Sequence, residues 1–159
     1  MIEVDDQIIG NIMYTKTKLI DESGEEKGIL TFGPVCILPE YQRKGYGKKL
    51  MEYSFAQAAV LGYDVIVIFG NPNNYVSHGF KSCKKYNVCL GNGTYPAAMM
   101  VKELKPDVLD GRKWVYHQSP VFEIDEQAAE RFDEGLESLE KKYQPSQEEF
   151  FIHSHAIIK

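Results

Sequence analysis

The chain has 159 residues, 43% of them apolar and 26% charged, and 18 basic against 23 acidic side chains give a net charge of −5. That length suits one domain with a substantial core, and the balance is that of an ordinary globular protein. The acidic excess argues against general nucleic-acid binding, and the sequence has neither the ~20-residue apolar run of a membrane span nor a leading signal peptide, so a cytoplasmic location with no membrane partner is expected.

Residues 1–4 read as a short strand and Asp5-Asp6 as a turn. Alternation over 8–17, with Ile8, Ile12 and Tyr14 on one side, predicts a second strand. Residues 21–28 form a polar, acidic loop around Ser23-Gly24. A third strand is expected over 29–38, interrupted by Gly33-Pro34, a pair that marks an edge or a bulge. This strand runs into Gln42-Arg43-Lys44-Gly45-Tyr46-Gly47, a basic loop that opens a helix over 47–61. Such a loop turns backbone N–H groups toward one point at the positive end of a helix dipole, where an anion can sit. Arg43, Lys44, Lys48 and Lys49 add charge around that point, and the glycines let an anion approach the backbone. Position 50 is Leu, not the third glycine of a dinucleotide fingerprint, and no G-x-x-x-x-G-K-[ST] occurs, so two familiar phosphate loops are excluded.

The helix over 47–61 carries Leu50, Met51, Ser54, Ala58 and Leu61 at helical spacing, with Gly62 as its stop. The run Val65-Ile66-Val67-Ile68-Phe69 predicts a strand buried on both faces, and strand, helix, strand makes a parallel βαβ unit. Asn71-Pro72 reads as an N-cap and first position of a short helix through His78. Residues 87–104 and 113–124 are expected as antiparallel strands with turns at 91–93 and 110–111. A heptad-like stripe of Ala129, Phe132, Leu136, Leu139 and Tyr143 predicts a helix over 125–143, packed on its own chain or on a second subunit. Cys36, Cys83 and Cys89 form no CxxC and read as free thiols, Cys36 in a strand being expected as a small core residue. His153-Ser154-His155 is weak evidence for a metal and reads as exposed tail.

The loop from Gln42 to Gly47 resembles the coenzyme A pyrophosphate loop of the GNAT acetyltransferase superfamily, [QR]-x-x-G-x-[GA]. Its flanks strengthen the likeness: Leu38-Pro39-Glu40-Tyr41 precedes it, and Tyr75-Val76-Ser77-His78-Gly79-Phe80 is similar to the family's Y-x-x-x-G-F. Glu103-Leu104-Lys105-Pro106 and the segment through Tyr116 resemble the tail of a small bacterial branch of predicted acetyltransferases. The resemblance covers about residues 4–122. It implies an α/β (α+β) fold, a mixed and mostly antiparallel sheet with a central parallel βαβ unit and flanking helices, over 1–124. Residues 125–159 would then be a C-terminal helix and tail.

The resemblance also implies a chemistry: direct transfer of acetyl from acetyl-CoA to a primary amine in a ternary complex. Backbone amides around Val35, Cys36 and Ile37 would set the thioester, and one of them would serve the developing oxyanion. N–H groups over Gln42, Arg43, Lys44, Gly45, Tyr46, Gly47 and Lys48 would hold the pyrophosphate. Tyr75 would lend a hydrogen bond or proton to the departing sulfur. Asn74 would bond the pantetheine arm or face solvent. No general base is named, since the strand over 29–38 contains no carboxylate and Glu40, Glu103 and Glu123 stand outside it; no metal is implied.

Relatives usually carry a strand and two helices ahead of the segment that begins at Val4. Their lack here leaves the acceptor side open to three accounts: truncation, a wall supplied by a partner such as a second copy, or catalysis abandoned for a non-catalytic acyl-CoA-binding or interaction module.

Overall fold

The alternation at the start of the chain builds a long hairpin of β2 (Gln7–Asp21) and β3 (Glu26–Ile37), with β1 (Ile2–Val4) beside the start of β2. The computed structural model describes residues 1–137, 140 and 142–159. The polar loop expected over 21–28 shrinks to residues 22–25, because pairing continues down to Ile20↔Glu26. The Asp21 carboxylate closes that turn by accepting the Ser23 and Glu25 amides, each at 2.9 Å, and the Ser23 hydroxyl at 2.7 Å. At the other end of the hairpin the register steps from Ile12↔Val35 to Tyr14↔Phe32, so Met13 faces two residues, Gly33 and Pro34. This is the bulge expected at that pair, where proline has no N–H to donate.

Chain continues through α1 (Tyr46–Val60), β4 (Val65–Phe69) and α2 (Pro72–Tyr75), then β5 (Lys81–Ser82), β6 (Val88–Cys89), β7 (Met99–Glu103) and β8 (Trp114–His117). The sheet order is β5-β7-β4-β3-β2-β8-β6. β3 and β4 are parallel and meet at one position, Leu30↔Ile66. β4 instead pairs along its whole length with antiparallel β7, from Val65↔Glu103 to Phe69↔Met99. The pairing of β6 with β8 is parallel, not antiparallel as expected for these segments. The reason is topological: β7, between them in sequence, lies on the far side of the sheet, so β8 returns in the direction of β6.

Period-two alternation divides the core between the two faces of the sheet. Leu30, Phe32, Ile66, Ile68 and Met100 pack against Met51, Phe55 and Ala58 of α1. On the other face Leu19, Ile29, Val65, Val67, Met99 and Val101 gather around Trp114 and Tyr116. The Trp114 indole donates to the Leu109 carbonyl at 3.0 Å, and the Arg112 guanidinium lies 4.8 Å from its ring centre. Arg112 also pairs with Asp21 and Glu25, each at 2.6 Å, and with Asp110 at 2.8 Å, tying β8 to the hairpin turn. The Ser23 hydroxyl, the two turn amides and Arg112 together hold the Asp21 carboxyl below its usual pKa.

Beyond β8, α3 (Glu126–Asp133) replaces the single helix expected over 125–143. Phe132 and Leu136 are exposed, so among the described residues of the stretch no buried face offsets the ~1 kcal/mol cost of Gly135 within a helix. Leu139, assigned to the same stripe, lies outside the described residues. A further helix, α4 (Pro145–His155), takes in His153, Ser154 and His155, which were expected as tail. It docks through Ala98 N–H to the His153 carbonyl at 3.1 Å and through Asn71 Nδ2 to Glu149 at 2.7 Å. Among the described residues, no helix is long and apolar enough to cross a membrane.

The buried face of α1 differs from the expected one in two residues. Phe55 is buried, whereas Leu61 ends the helix at 74% exposure, and Ser54 accepts or donates a 2.8 Å hydrogen bond with the Tyr14 hydroxyl. Urea denaturation of Phe55→Ala should therefore show a loss of ~3–5 kcal/mol. Leu61→Ala should stay within ~0.5 kcal/mol of wild type, and equal penalties would reject this orientation of α1.

Candidate functional site

Three elements converge where β3 and β4 part: the end of β3, the turn into α1, and α2. The Leu38 amide donates to the Ile9 carbonyl at 2.8 Å, fastening the end of β3 to β2. A single 3-10 turn, Pro39–Tyr41, then reverses the chain. Gln42 closes it by donating its side-chain amide back to the Ile37 carbonyl at 2.8 Å. The next residues need left-handed backbone: Arg43 has φ 57° and Gly45, the N-cap of α1, has φ 85°.

The consequence is a row of free donors. Among the described residues, the backbone N–H groups from Arg43 to Lys48 have no intramolecular acceptor, and Gly45 has no side chain to cap them. A helix start leaves its first four N–H groups unpaired in any case, here Gly45 to Lys48, and the left-handed entry adds those of Arg43 and Lys44. Such a run of amides is the donor set that a pyrophosphate needs. The Lys44 ammonium stands 5.6 Å from the Tyr41 ring centre, and Lys49 stands 5.7 Å from that of Tyr46. Lys48 shares its charge with Glu52 at 3.7 Å.

Past Leu30 the edge of β3 that faces β4 has no strand partner among the described residues, while its other edge pairs with β2 through Gly10↔Ile37, Asn11↔Cys36 and Ile12↔Val35. Val35, Cys36 and Ile37 thus lie on the parted stretch, directly before the loop. Cys36 is exposed, not a core residue, because it sits where no strand covers it. Its thiol is 3.5 Å from Asn11 Oδ1.

Asn71 caps α2 as expected, its side chain accepting the Asn73 amide at 3.0 Å. Asn74 is exposed. Tyr75 packs its ring against Phe32, centres 5.8 Å apart, and Phe80 at 6.0 Å. Its ring also lies against the backbone of Gly70: a Cβ there would stand 2.7 Å from the ring. Burial raises the Tyr75 pKa, so near neutral pH the phenol is a hydrogen-bond donor and not a phenolate. His78, expected on the helix surface, is half-buried, its pKa lowered by that burial, and its carbonyl accepts the Lys102 ammonium at 2.9 Å.

Of the three elements, α2 is touched by a carboxylate, Glu149 of α4, which accepts from Asn71 Nδ2 at 2.7 Å. Glu103 lies opposite Val65, at the end of β4 away from the loop, and accepts the Leu109 amide at 3.0 Å. Glu40 and Glu123 are exposed. Gly70 and Phe32 were missed in the sequence. Gly70 carried a signal, a glycine between an apolar strand and Asn-Pro, whereas Phe32 is indistinguishable from any apolar strand residue.

Residues 1–82 match the acetyltransferase (GNAT) domain family. The chain is 25% identical over 95 residues to the uncharacterized N-acetyltransferase YjhQ of Escherichia coli K12, covering 60% of this chain and 49% of that one. It is 25% identical over 114 residues to the uncharacterized N-acetyltransferase YhbS of the same strain, covering 70% and 66%. The chain therefore spans about half to two thirds of the length of these curated relatives. Its fold is similar to the crystal structure of Escherichia coli YhbS in complex with CoA, with a TM-score of 0.58, 23% identity and coverage of 71% and 62%. A GNAT family acetyltransferase from Brucella melitensis in complex with acetyl-CoA superposes with a TM-score of 0.54, 26% identity and coverage of 76% and 65%.

The packing of Tyr75 on Gly70 can be measured. Gly70→Ala should cost ~1–3 kcal/mol in urea denaturation, and the penalty should fall by at least half in a Tyr75→Leu background. In an ultraviolet titration, the phenol missing from Tyr75→Phe should be one that ionises above pH ~10, and an ordinary value would contradict its burial.

Proposed function

The chain belongs to the GNAT acetyltransferase family, and from that premise we propose that it moves an acetyl group from acetyl-CoA to an amine by direct transfer in a ternary complex. The observation that carries this reading is the run of unpaired amides from Arg43 to Lys48 at the entrance to the gap between β3 and β4. Acetyl-CoA supplies, when bound, an acetyl group activated as a thioester.

The chain's own residues supply binding, orientation and a proton. Amides of the loop hold the diphosphate, each charge-assisted hydrogen bond contributing ~1.5–3 kcal/mol. Arg43, Lys44 and Lys48 add charge there, and Gly45, Tyr46 and Gly47 give the backbone its shape. Gln42 acts one step back, keeping the loop against the end of β3. Those backbone groups of Val35, Cys36 and Ile37 that point away from β2 are available to an extended arm, the Ile37 carbonyl excepted because Gln42 occupies it, and Asn74 can donate to the arm from the rim. Tyr75, protonated and fixed by Gly70, Phe32 and Phe80, is the proton donor to a leaving thiolate.

Calorimetry and turnover test the two halves separately. CoA should bind the wild-type chain, and Gly45→Ala should weaken it about tenfold, because alanine resists the left-handed backbone by ~1–2 kcal/mol. Tyr75→Phe should lower kcat at least ~100-fold with Kd for CoA changed less than about twofold. Absence of CoA binding would end the proposal. CoA binding without acetyl transfer to any amine would favour an acyl-CoA-binding module.

A further inference from the structure

On the sheet face opposite α1, a pocket of about 330 Å³ opens at the same parting of β3 and β4. Both separated strands line it, Thr31 and Gly33 from β3 and Phe69 from β4; Tyr116 of β8, Gln118 and Phe122 complete the wall. Phe32 also lines it, and the ring of Phe32 packs on Tyr75, so the pocket and the candidate proton donor share one residue. Phe69 and Tyr116 stand edge to face, with ring centres 5.5 Å apart.

We propose that this pocket receives the acyl acceptor, and that the acceptor is an uncharged aromatic amine. The assignment rests on the acetyl-transfer reading and adds to it the class of substrate. Its volume is at the small end of ligand pockets, enough for one ring with short substituents. The side chains of Phe69, Tyr116 and Phe122 offer edges and faces to such a ring, each good contact contributing ~0.5–1.5 kcal/mol beyond area burial. Among the described residues, no Asp, Glu, Lys, Arg or His lines the pocket. An ammonium entering it would meet ring faces, which attract a cation weakly, and no carboxylate to pair with, so it gains less there than a neutral amine that stacks on the rings. An amine whose conjugate acid is weak, such as an aniline, arrives neutral and already carries the lone pair that attack requires. Its N–H groups can donate to the Thr31 hydroxyl or the Gln118 carbonyl oxygen, both acceptors. A neutral amine needs no base before attack: the C–N bond forms as the C–S bond breaks, and the proton the nitrogen then sheds balances the one Tyr75 gives the departing thiolate, so CoA leaves as the thiol.

The test uses the intact, isotope-labelled chain without CoA, titrated with aniline, cyclohexylamine or spermidine and followed by amide chemical shifts. Aniline should shift Thr31, Gly33, Phe69 and Gln118 and leave residues 43–48 unmoved. Phe122→Ala, at an exposed position, should weaken aniline ~5-fold. Gln118→Glu should move the preference toward cyclohexylammonium, since it supplies the missing charge. The proposal is overturned if aniline shifts no residue of the pocket, if spermidine occupies these residues more tightly than aniline, or if Phe122→Ala leaves the affinity unchanged. Because CoA is absent, these outcomes are independent of the loop: failure of CoA calorimetry removes acetyl transfer and leaves the pocket's preference standing, and the reverse also holds.

Discussion

β3 and β4 run side by side for one residue pair and then separate, and each strand has another neighbour that makes the separation permanent. β3 stays with β2 as far as Gly10↔Ile37, while β4 stays with β7 as far as Phe69↔Met99. The bulge at Gly33-Pro34 bends β3 within the parted stretch. A buried strand edge with unpaired amides and carbonyls is costly unless something else bonds to it. Here the gap is open to solvent and to any extended ligand, and the elements that bear on it converge from both sides.

Electrostatics at this gap runs against the charge of the whole molecule. The chain is acidic overall, yet the entrance combines the positive end of a 15-residue helix, several unpaired amides and a cluster of Lys and Arg. Rings of Tyr41 and Tyr46 keep Lys44 and Lys49 close to the loop without neutralising them, since a ring face attracts a cation but carries no net charge. A body of opposite sign around a local cationic site favours a small anion over a polyanion. The pocket on the far side of the gap is lined by Phe69, Tyr116 and Phe122 with Thr31 and Gln118, a different chemical character from the cationic entrance.

Much of this was legible in the residues alone, and the reasons differ by element. β4 was readable to the residue because an unbroken Val-Ile run has one stable environment, between two other strands. The cap at Asn71-Pro72 was readable because it is local: a side chain bonds to the amide two residues on. The burial of α1 was read correctly at Leu50, Met51 and Ala58 and incorrectly at Leu61, because the spacing of apolar residues does not say where a helix leaves its sheet. The long helix expected after residue 124 failed for a related reason. Apolar residues at helical spacing need a surface to cover, and Phe132 and Leu136 face solvent.

From the sequence by itself came the phosphate-type loop, which is set by neighbouring residues, and the parallel βαβ unit, which is set by three consecutive elements, whereas the candidate proton donor came from the resemblance of Tyr75-Val76-Ser77-His78-Gly79-Phe80 to a family motif. Only the tertiary structure decided that β6 and β8 run parallel, that Cys36 is exposed, that Tyr75 rests on Gly70, and that Phe69, Tyr116 and Phe122 meet in one pocket. Those facts depend on which strand lies next to which, and strand order is chosen by burial summed over the whole sheet, a quantity that no short stretch of residues contains.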